Sequence, residues 1–451
     1  MEPVDGLPPA QRWRALVTLG IAVGASVLDS AVANIALPSI AADLQVTPSA
    51  SIWVVNAYQM AVIVALLPCA SLGDIHGYRR VYAWGLGVFT VASLGCALAP
   101  SLPVLTLARA VQGLGGAGIM SVNTALIRFI FPRAQLGRGM GINALIVATS
   151  LAIGPSVAAG ILSVAHWPWL FAVNVPLGGL ALALVGALPY TEPSGHRFDM
   201  ASAALNAATF SLFIAAIDGV AQREPAGVVA LQFAGAAAVG FVFVRRQRVL
   251  AAPMLPVDLF RRPVFALTVA TSVCSFIAQT SAFVALPFLF EAALGRSQVA
   301  TGLLMTPWPV MVALVAPLAG RLSDRFPAGI LGSIGLAVLS AGLLGLLLLP
   351  ADPPGWQVGW RMALCGVGFA LFQSPNNRLM LTSVPRERSG AGSGMLSTAR
   401  LLGQTTGAAL VSVLFGLTEA GGVAQGANAA LILATACSAL GALCSSLRLR
   451  R

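Results

Sequence analysis

One arginine constrains this chain more than any other residue. Arg109 lies in Leu105–Ala117 (LTLARAVQGLGGA), within an apolar run longer than one core helix needs, so it is expected inside a membrane-spanning segment of roughly 20 residues. A guanidinium near mid-bilayer costs at least about 2.5–3.5 kcal/mol, which places Arg109 toward the bundle interior or a watery cavity, with a carboxylate or carbonyls beside it. Gln112, Gly113 and Gly116 follow three, four and seven positions later. One helix face therefore carries charge, amide and small residues together, which suits close helix contact.

Gly113, Gly115 and Gly118 also satisfy G-x-G-x-x-G. The dinucleotide reading of that pattern requires a preceding strand, a loop and a following helix, and these glycines lie within an apolar run. No cofactor is expected from them.

Composition extends the argument to the whole chain, whose 451 residues are 57% hydrophobic and only 9% charged, too few charges for a soluble multi-domain protein. The net charge of +11 could suggest nucleic acid, yet all 26 basic residues are arginine and they cluster in short gaps between apolar runs. That is a topology signal, and no nucleic-acid partner is expected. The exclusive use of arginine hints at a GC-rich bacterial genome, and hence at the bacterial cytoplasmic membrane.

A polar leader ending in Arg12 and Arg14 precedes the first apolar segment, which is too long for the apolar region of a secretory signal peptide. Further spans are predicted at 49–70, 79–99, 102–126, 137–160, 167–188, 200–220, 226–244, 264–290, 298–319, 328–349, 358–382, 391–416 and 427–446, fourteen in all. With the N-terminus inside, only Arg223, Arg296 and Arg361 fall on the outer side, and only Arg109 and Arg400 fall within spans. The positive-inside rule is met with both termini cytoplasmic, and dropping one span would invert everything after it.

Cys69, Cys96, Cys274, Cys365, Cys437 and Cys444 lie in or beside apolar segments without paired spacing, and His76, His166 and His196 are scattered over separate loops. The cysteines read as small buried hydrophobes. No metal site, redox site or catalytic set is expected, so the chain is not read as an enzyme.

Leu72–Arg80 (LGDIHGYRR) after span two has a fainter echo in Gly320–Arg325 (GRLSDR) after span ten. Two six-span halves would separate these loops by six spans rather than eight. The chain is thus expected to hold a six-helix bundle over 1–190, an inserted helix pair over 199–248 and a second six-helix bundle over 262–451, with a site between the halves.

These motifs carry a resemblance. The chain resembles the major facilitator superfamily and, within it, the fourteen-span drug/proton antiporters of the multidrug efflux type. Leu72–Arg80 is similar to the superfamily signature after span two, with Ala70 in place of its first glycine. Arg109, Gln112, Gly113, Gly115, Gly116 and Ala117 match the span-four signature. Asp29–Pro38 (DSAVANIALP), Trp53–Tyr58 (WVVNAY), Trp167–Gly178 (WPWLFAVNVPLG) and Gly394–Gly407 (GMLSTARLLGQTTG) also resemble that branch. Gly141, Gly154 and Pro155 match the span-five antiporter signature, whereas Ser150, Ala158 and Ala159 stand where it has glycines. Those substitutes are small enough to keep the close packing and the proline kink.

Asp29 is the one carboxylate placed well inside a span, since Asp199, Asp218, Glu291 and Glu419 fall near predicted ends. A cavity that alternately wets and dries such an acid lets it take and release a proton, so Asp29 is read as the coupling residue, against a purely structural acid. Arg109 is equally well read as a fixed counter-charge. Asp74, Gly77, Arg79 and Arg80 are expected to form a cytoplasmic gate latch, with Asp324 and Arg325 as a poorer copy, because Pro327 replaces a glycine; the alternative is a charged turn obeying topology. Asn34, Tyr58, Gln59, Asn143, Phe276, Gln279, Phe283, Trp308, Gln373, Asn376, Asn377 and Arg400 are the candidate substrate wall. The resulting expectation is a monomeric exporter, partnered by lipid, protons and a small molecule, that couples proton entry to efflux of an amphipathic, cationic compound. A metabolite, self-made antibiotic or lipid exporter on the same scaffold, or a non-transporting membrane scaffold or sensor, are the alternatives.

Overall fold

The computed structural model describes residues 5–46, 51, 53–195, 197–221, 224–250, 253–296, 298–350, 352–418 and 422–450, and among them every regular element is helical. The long helices are α1 (Pro9–Asp43), α2 (Trp53–His76), α3 (Tyr78–Ala97), α4 (Leu102–Ile130) and α5 (Leu136–Leu162), followed by the short pair α6 (Pro168–Ala172) and α7 (Asn174–Leu184). Then come α8 (Met200–Ala221), α9 (Ala226–Gln247), α10 (Pro263–Phe288), α11 (Gln298–Met305), α12 (Pro307–Ser323), α13 (Ala328–Leu347), α14 (Gly355–Thr382), α15 (Ser389–Leu417) and α16 (Gly422–Leu447). Eleven helical stretches among the described residues are long and apolar enough to cross a bilayer. Three more long helices, α3, α14 and α15, carry Arg79 and Arg80, Arg361 and Arg378, and Arg400, which lower their apolarity.

Two predicted spans are broken. Pro176 has no amide to donate to Ala172, and the segment divides there into α6 and α7; Pro307 and Pro309 likewise withhold bonds from Leu303 and Met305, dividing α11 from α12. Helix α10 ends in a π-turn at Leu289–Ala293, which leaves Glu291 exposed. Between α2 and α3 there is one residue, Gly77, at φ +90°, where a Cβ would lie 2.9 Å from the Thr191 carbonyl oxygen. Only glycine takes that turn without strain.

Helices α2 and α3 pack on α4, and α1 packs on α5 and α7. Later in the chain, α10 packs on α15 and α16, α12 on α14, and α13 on α14 and α16. These two sets meet where α5 crosses α12 and α2 crosses α15, while α8 and α9 pair with each other and α8 leans on α2. Glycines bring the helices close. A Cβ on Gly113 would come within 2.5 Å of the Tyr58 carbonyl oxygen, one on Gly116 within 2.7 Å of the Tyr58 hydroxyl, and one on Gly141 within 2.6 Å of the Ala316 carbonyl oxygen. Gly154 is buried in α5, and the side chains of Asn34, Pro155 and Asp218 lie outside the described residues. Trp84, Val91, Leu231 and Leu314 are among the large apolar side chains left exposed on the outer surface, as lipid-facing helices require.

Candidate functional site

Asp29 on α1 and Arg109 on α4 meet in the interior with both side chains fully buried, Arg109 Nη1 donating to Asp29 Oδ2 at 2.5 Å. Because two isolated charges in that setting would be costly, the surrounding partners matter. Asp29 Oδ1 accepts from Gln112 Nε2 at 3.0 Å and from Asn174 Nδ2 at 2.7 Å. Arg109 donates from Nε to the Val54 carbonyl at 3.0 Å and from Nη1 to Gln112 Oε1 at 2.6 Å. Gln112 Nε2 also donates to Ser93 Oγ at 2.8 Å. The guanidinium lies 4.4 Å from the Tyr58 ring centre and 5.3 Å from that of Phe171, so aromatic faces hold the cation where hydrogen bonds do not. Arg109 Nη2 and Asn174 Oδ1 are buried without a partner.

Helix α4 runs unbroken through Gly113, Gly115 and Gly118, which removes the strand-loop-helix context of a dinucleotide site. Tyr58 belongs to the ion-pair network: its hydroxyl lies 3.0 Å from Ser26 Oγ, beneath Arg109.

A second arrangement lies at the end of the molecule that carries the arginine-rich loops. Asp74, at the end of α2, accepts from the Gly390 and Ala391 amides at 2.9 and 3.2 Å, in the first turn of α15, and from the Tyr78 hydroxyl at 2.6 Å. Asp324, at the end of α12, accepts from the Gly137 and Arg138 amides at 2.9 and 3.2 Å, in the first turn of α5. Each carboxylate satisfies two orphan amides and meets the positive end of a helix dipole. Both contacts therefore run from carboxylate to helix end. Among the described residues neither Arg79 nor Arg80 pairs with Asp74; both instead line a surface cavity of about 310 Å³ beside Gly77 and Thr191. Arg325 is exposed, and Arg378 takes the place expected for it, 3.2 Å from Asp324 Oδ1. Asp324 thus accepts two helix-start amides as Asp74 does, with Arg378 where Asp74 has the Tyr78 hydroxyl. Arg128 donates to Ser389 Oγ at 2.8 Å and Arg386 to Asp5 at 2.6 Å, adding ties at the same end.

Between the two helix sets lie two adjoining cavities, of about 60 and 330 Å³, that share Ala144, Val147, Phe276, Gln373 and Arg400. Asn143 and Asn377 line the smaller, and Gln279, Phe283 and Trp308 the larger. Gln59 lines a third, of about 620 Å³, which adjoins the larger through Thr280 and Gln404 and is edged by α8. Asn376 does not face these cavities: it is buried, donates to Ser272 Oγ at 2.7 Å and accepts from Arg448 at 2.9 Å. Asp29 is likewise absent from the central walls.

A family model described as the Major Facilitator Superfamily matches residues 19–408. The chain belongs to the major facilitator superfamily. It is 53% identical over 450 residues to the "Uncharacterized transporter YebQ" of Escherichia coli, covering 99% of this chain and 97% of that one. It is 35% identical over 408 residues to the "Multidrug resistance protein Stp" of Mycobacterium tuberculosis, covering 88% of this chain and 75% of that one. The solved structure of the proton:xylose symporter XylE superposes with a TM-score of 0.68 at 15% identity, covering 96% of this chain and 95% of XylE, which shows the shared fold.

This major facilitator protein is accordingly a multi-pass membrane transporter rather than an enzyme. Among the contributors to its buried network that escaped the sequence reading are Asn174, Ser93 and Phe171. Asn174 and Phe171 lie in Trp167–Gly178, and the proline two residues after Asn174 was the available signal, since it marks where a helix can restart and aim a side chain inward. Ser93 gave no signal.

Proposed function

We propose that this chain is a fourteen-pass, proton-coupled exporter of amphipathic organic compounds, working by alternating access with both termini in the cytoplasm. Helices α3, α14 and α15 count as passes despite their arginines, because Arg400 faces a cavity and the others lie at or near helix ends. On this reading 1–190 and 262–451 are the two moving bundles and 199–248 is an inserted pair. The buried Asp29–Arg109 pair carries the proposal. Protonating Asp29 turns an acceptor-only carboxylate into a neutral acid and strips Arg109 of its counter-charge. Breaking such a pair costs on the order of 3–5 kcal/mol, ample to bias a two-state transporter. Asp74 and Asp324 would then hold the cytoplasmic end shut in the state seen here.

Similarity to Stp supports the export of drug-like molecules. The expectation of a cationic substrate rested on a carboxylate facing it, and Asp29 lies outside the central cavity walls. The test is proton release from everted vesicles carrying the protein, after a gradient is set and amphipathic compounds are added. Compound-dependent proton leak that vanishes in Asp29→Asn is the expected result; leak that persists in that variant removes Asp29 from coupling.

A further inference from the structure

Among the described residues that line the two central cavities, Arg400 is the only one with a charged side chain. It stands on α15 with its Nε buried and unpartnered, and its one hydrogen-bond contact is the weak acceptor Met120 Sδ, 4.0 Å from Nη2. Other buried cations in this transporter are provided for: Arg109 has Asp29, and Arg448 has Asn376, Thr268 and Thr271. A guanidinium stays charged at any physiological pH, and it is costly to bury without an acceptor. A second donor points the same way. Trp308 lines the larger cavity, and its buried indole Nε1–H has no acceptor. Both groups can only donate, so whatever completes this cavity must bring acceptor oxygens.

The rest of the wall states what those oxygens are attached to. Phe276, Phe283, Phe369 and Trp308 form edge-on aromatic contacts there, Phe283 lying 5.0 Å from Trp308. The larger cavity, at about 330 Å³, has the size of a small-molecule pocket. We propose that it binds amphipathic organic anions, an aromatic ring between Phe276, Phe283 and Trp308 and a carboxylate or sulfonate on Arg400. A planar guanidinium takes such a group through two parallel hydrogen bonds. This rests on the exporter reading only for the direction in which the anion moves. Exchange of one monovalent anion for one proton would carry two positive charges inward, so an inside-negative potential would drive it.

The experiment compares naphthalene sulfonate, the neutral naphthol with the same ring system and the cation tetraphenylphosphonium, titrated calorimetrically into the full-length protein in detergent. The sulfonate should bind tighter than naphthol, and Arg400→Gln should cost it at least about tenfold while leaving naphthol within about twofold, which also shows that the variant is folded. Arg400→Lys should recover part of the loss, and Trp308→Phe should weaken the sulfonate by a smaller factor. Equal binding of sulfonate and naphthol, or tighter binding of the phosphonium that is indifferent to Arg400, would overturn the proposal. Proton-coupled flux in everted vesicles separates the two readings. Sulfonate binding that needs Arg400 but drives no proton movement rejects the exporter mechanism and keeps the anion site, whereas proton-coupled flux of the phosphonium alone does the reverse.

Discussion

Asp74 and Asp324, far apart in the chain, hold the same position in two equivalent contacts: each accepts from the second and third amides of a helix remote in sequence, α15 for one and α5 for the other. The first of those amides is a glycine both times, Gly390 and Gly137, and a Cβ on either would press on the carboxylate it serves.

Replacing either aspartate with asparagine keeps an acceptor and removes the charge at the helix end, worth about 0.3–1 kcal/mol and up to about 2 when partly buried. Asp74→Asn and Asp324→Asn should each open the arginine-rich end severalfold more often. Their effects should nearly add, since the contacts share no partner. Distances between spin labels at Glu387 and Arg133, measured by pulsed electron resonance, would report a second, longer population; an unchanged distribution in the double variant would remove the latch role.

Removing one member of the Asp29–Arg109 pair should cost more than removing both. Arg109→Gln strands a buried carboxylate and should lose about 3–5 kcal/mol, while Asp29→Asn together with Arg109→Gln should recover a good part of it. Arg109→Lys should also be costly, because an ammonium cannot reach both the Val54 carbonyl and Asp29 as the fork does. Thermal unfolding in detergent ranks the three variants.

Gly113→Ala should destabilise by about 1–3 kcal/mol, because its methyl meets the backbone of α2. Gly116→Ala meets only the end of the Tyr58 ring and should cost less. Gly87, with nothing within 4 Å of a built Cβ, is the control expected to change little. Equal melting temperatures for all three would mean that α2 and α4 are not held at this spacing.

Asp199 caps α8 and pairs with Arg246 on α9. Hydrogen bonds from Arg246 hold its carboxyl at about 2, below the ordinary 3.8. A folded-state value below the unfolded one means stability that is present above about pH 4 and is lost as pH falls toward 2. The melting-temperature gap between the protein and Asp199→Asn should thus be constant from neutral pH to about 5 and close below it. It should be small throughout, since the pair is partly exposed.

Much of this was legible in the sequence for a physical reason. Charges in apolar runs are expensive, so Asp29, Arg109 and Arg400 announced themselves, and Gln112 followed from helical spacing. Charge pairs and helix ends were both expected to hold Asp74 and Asp324, but which helix end each meets was not legible, because backbone amides at a helix start carry no side-chain mark. Nor could adjacent amides be sorted: Asn376 and Asn377 differ by about 100° around α14, and that turn sends one to Arg448 and the other to the cavity. Asn174 was hidden because a lone amide in an apolar run has no distinct cost until its partner is known.

The contacts that join α2 to α15 and α12 to α5 have one half written in side chains and the other in peptide bonds. A point mutation can delete a carboxylate, but no substitution short of proline deletes an amide. Drift in charge along the first turns of α5 and α15 therefore leaves in place what the aspartates grip, whereas added bulk at Gly137 or Gly390 would push the carboxylate away. Among divergent relatives, compensating changes should cluster at the two aspartates and the two glycines, and the residues beside them on α5 and α15 should be free to vary in charge.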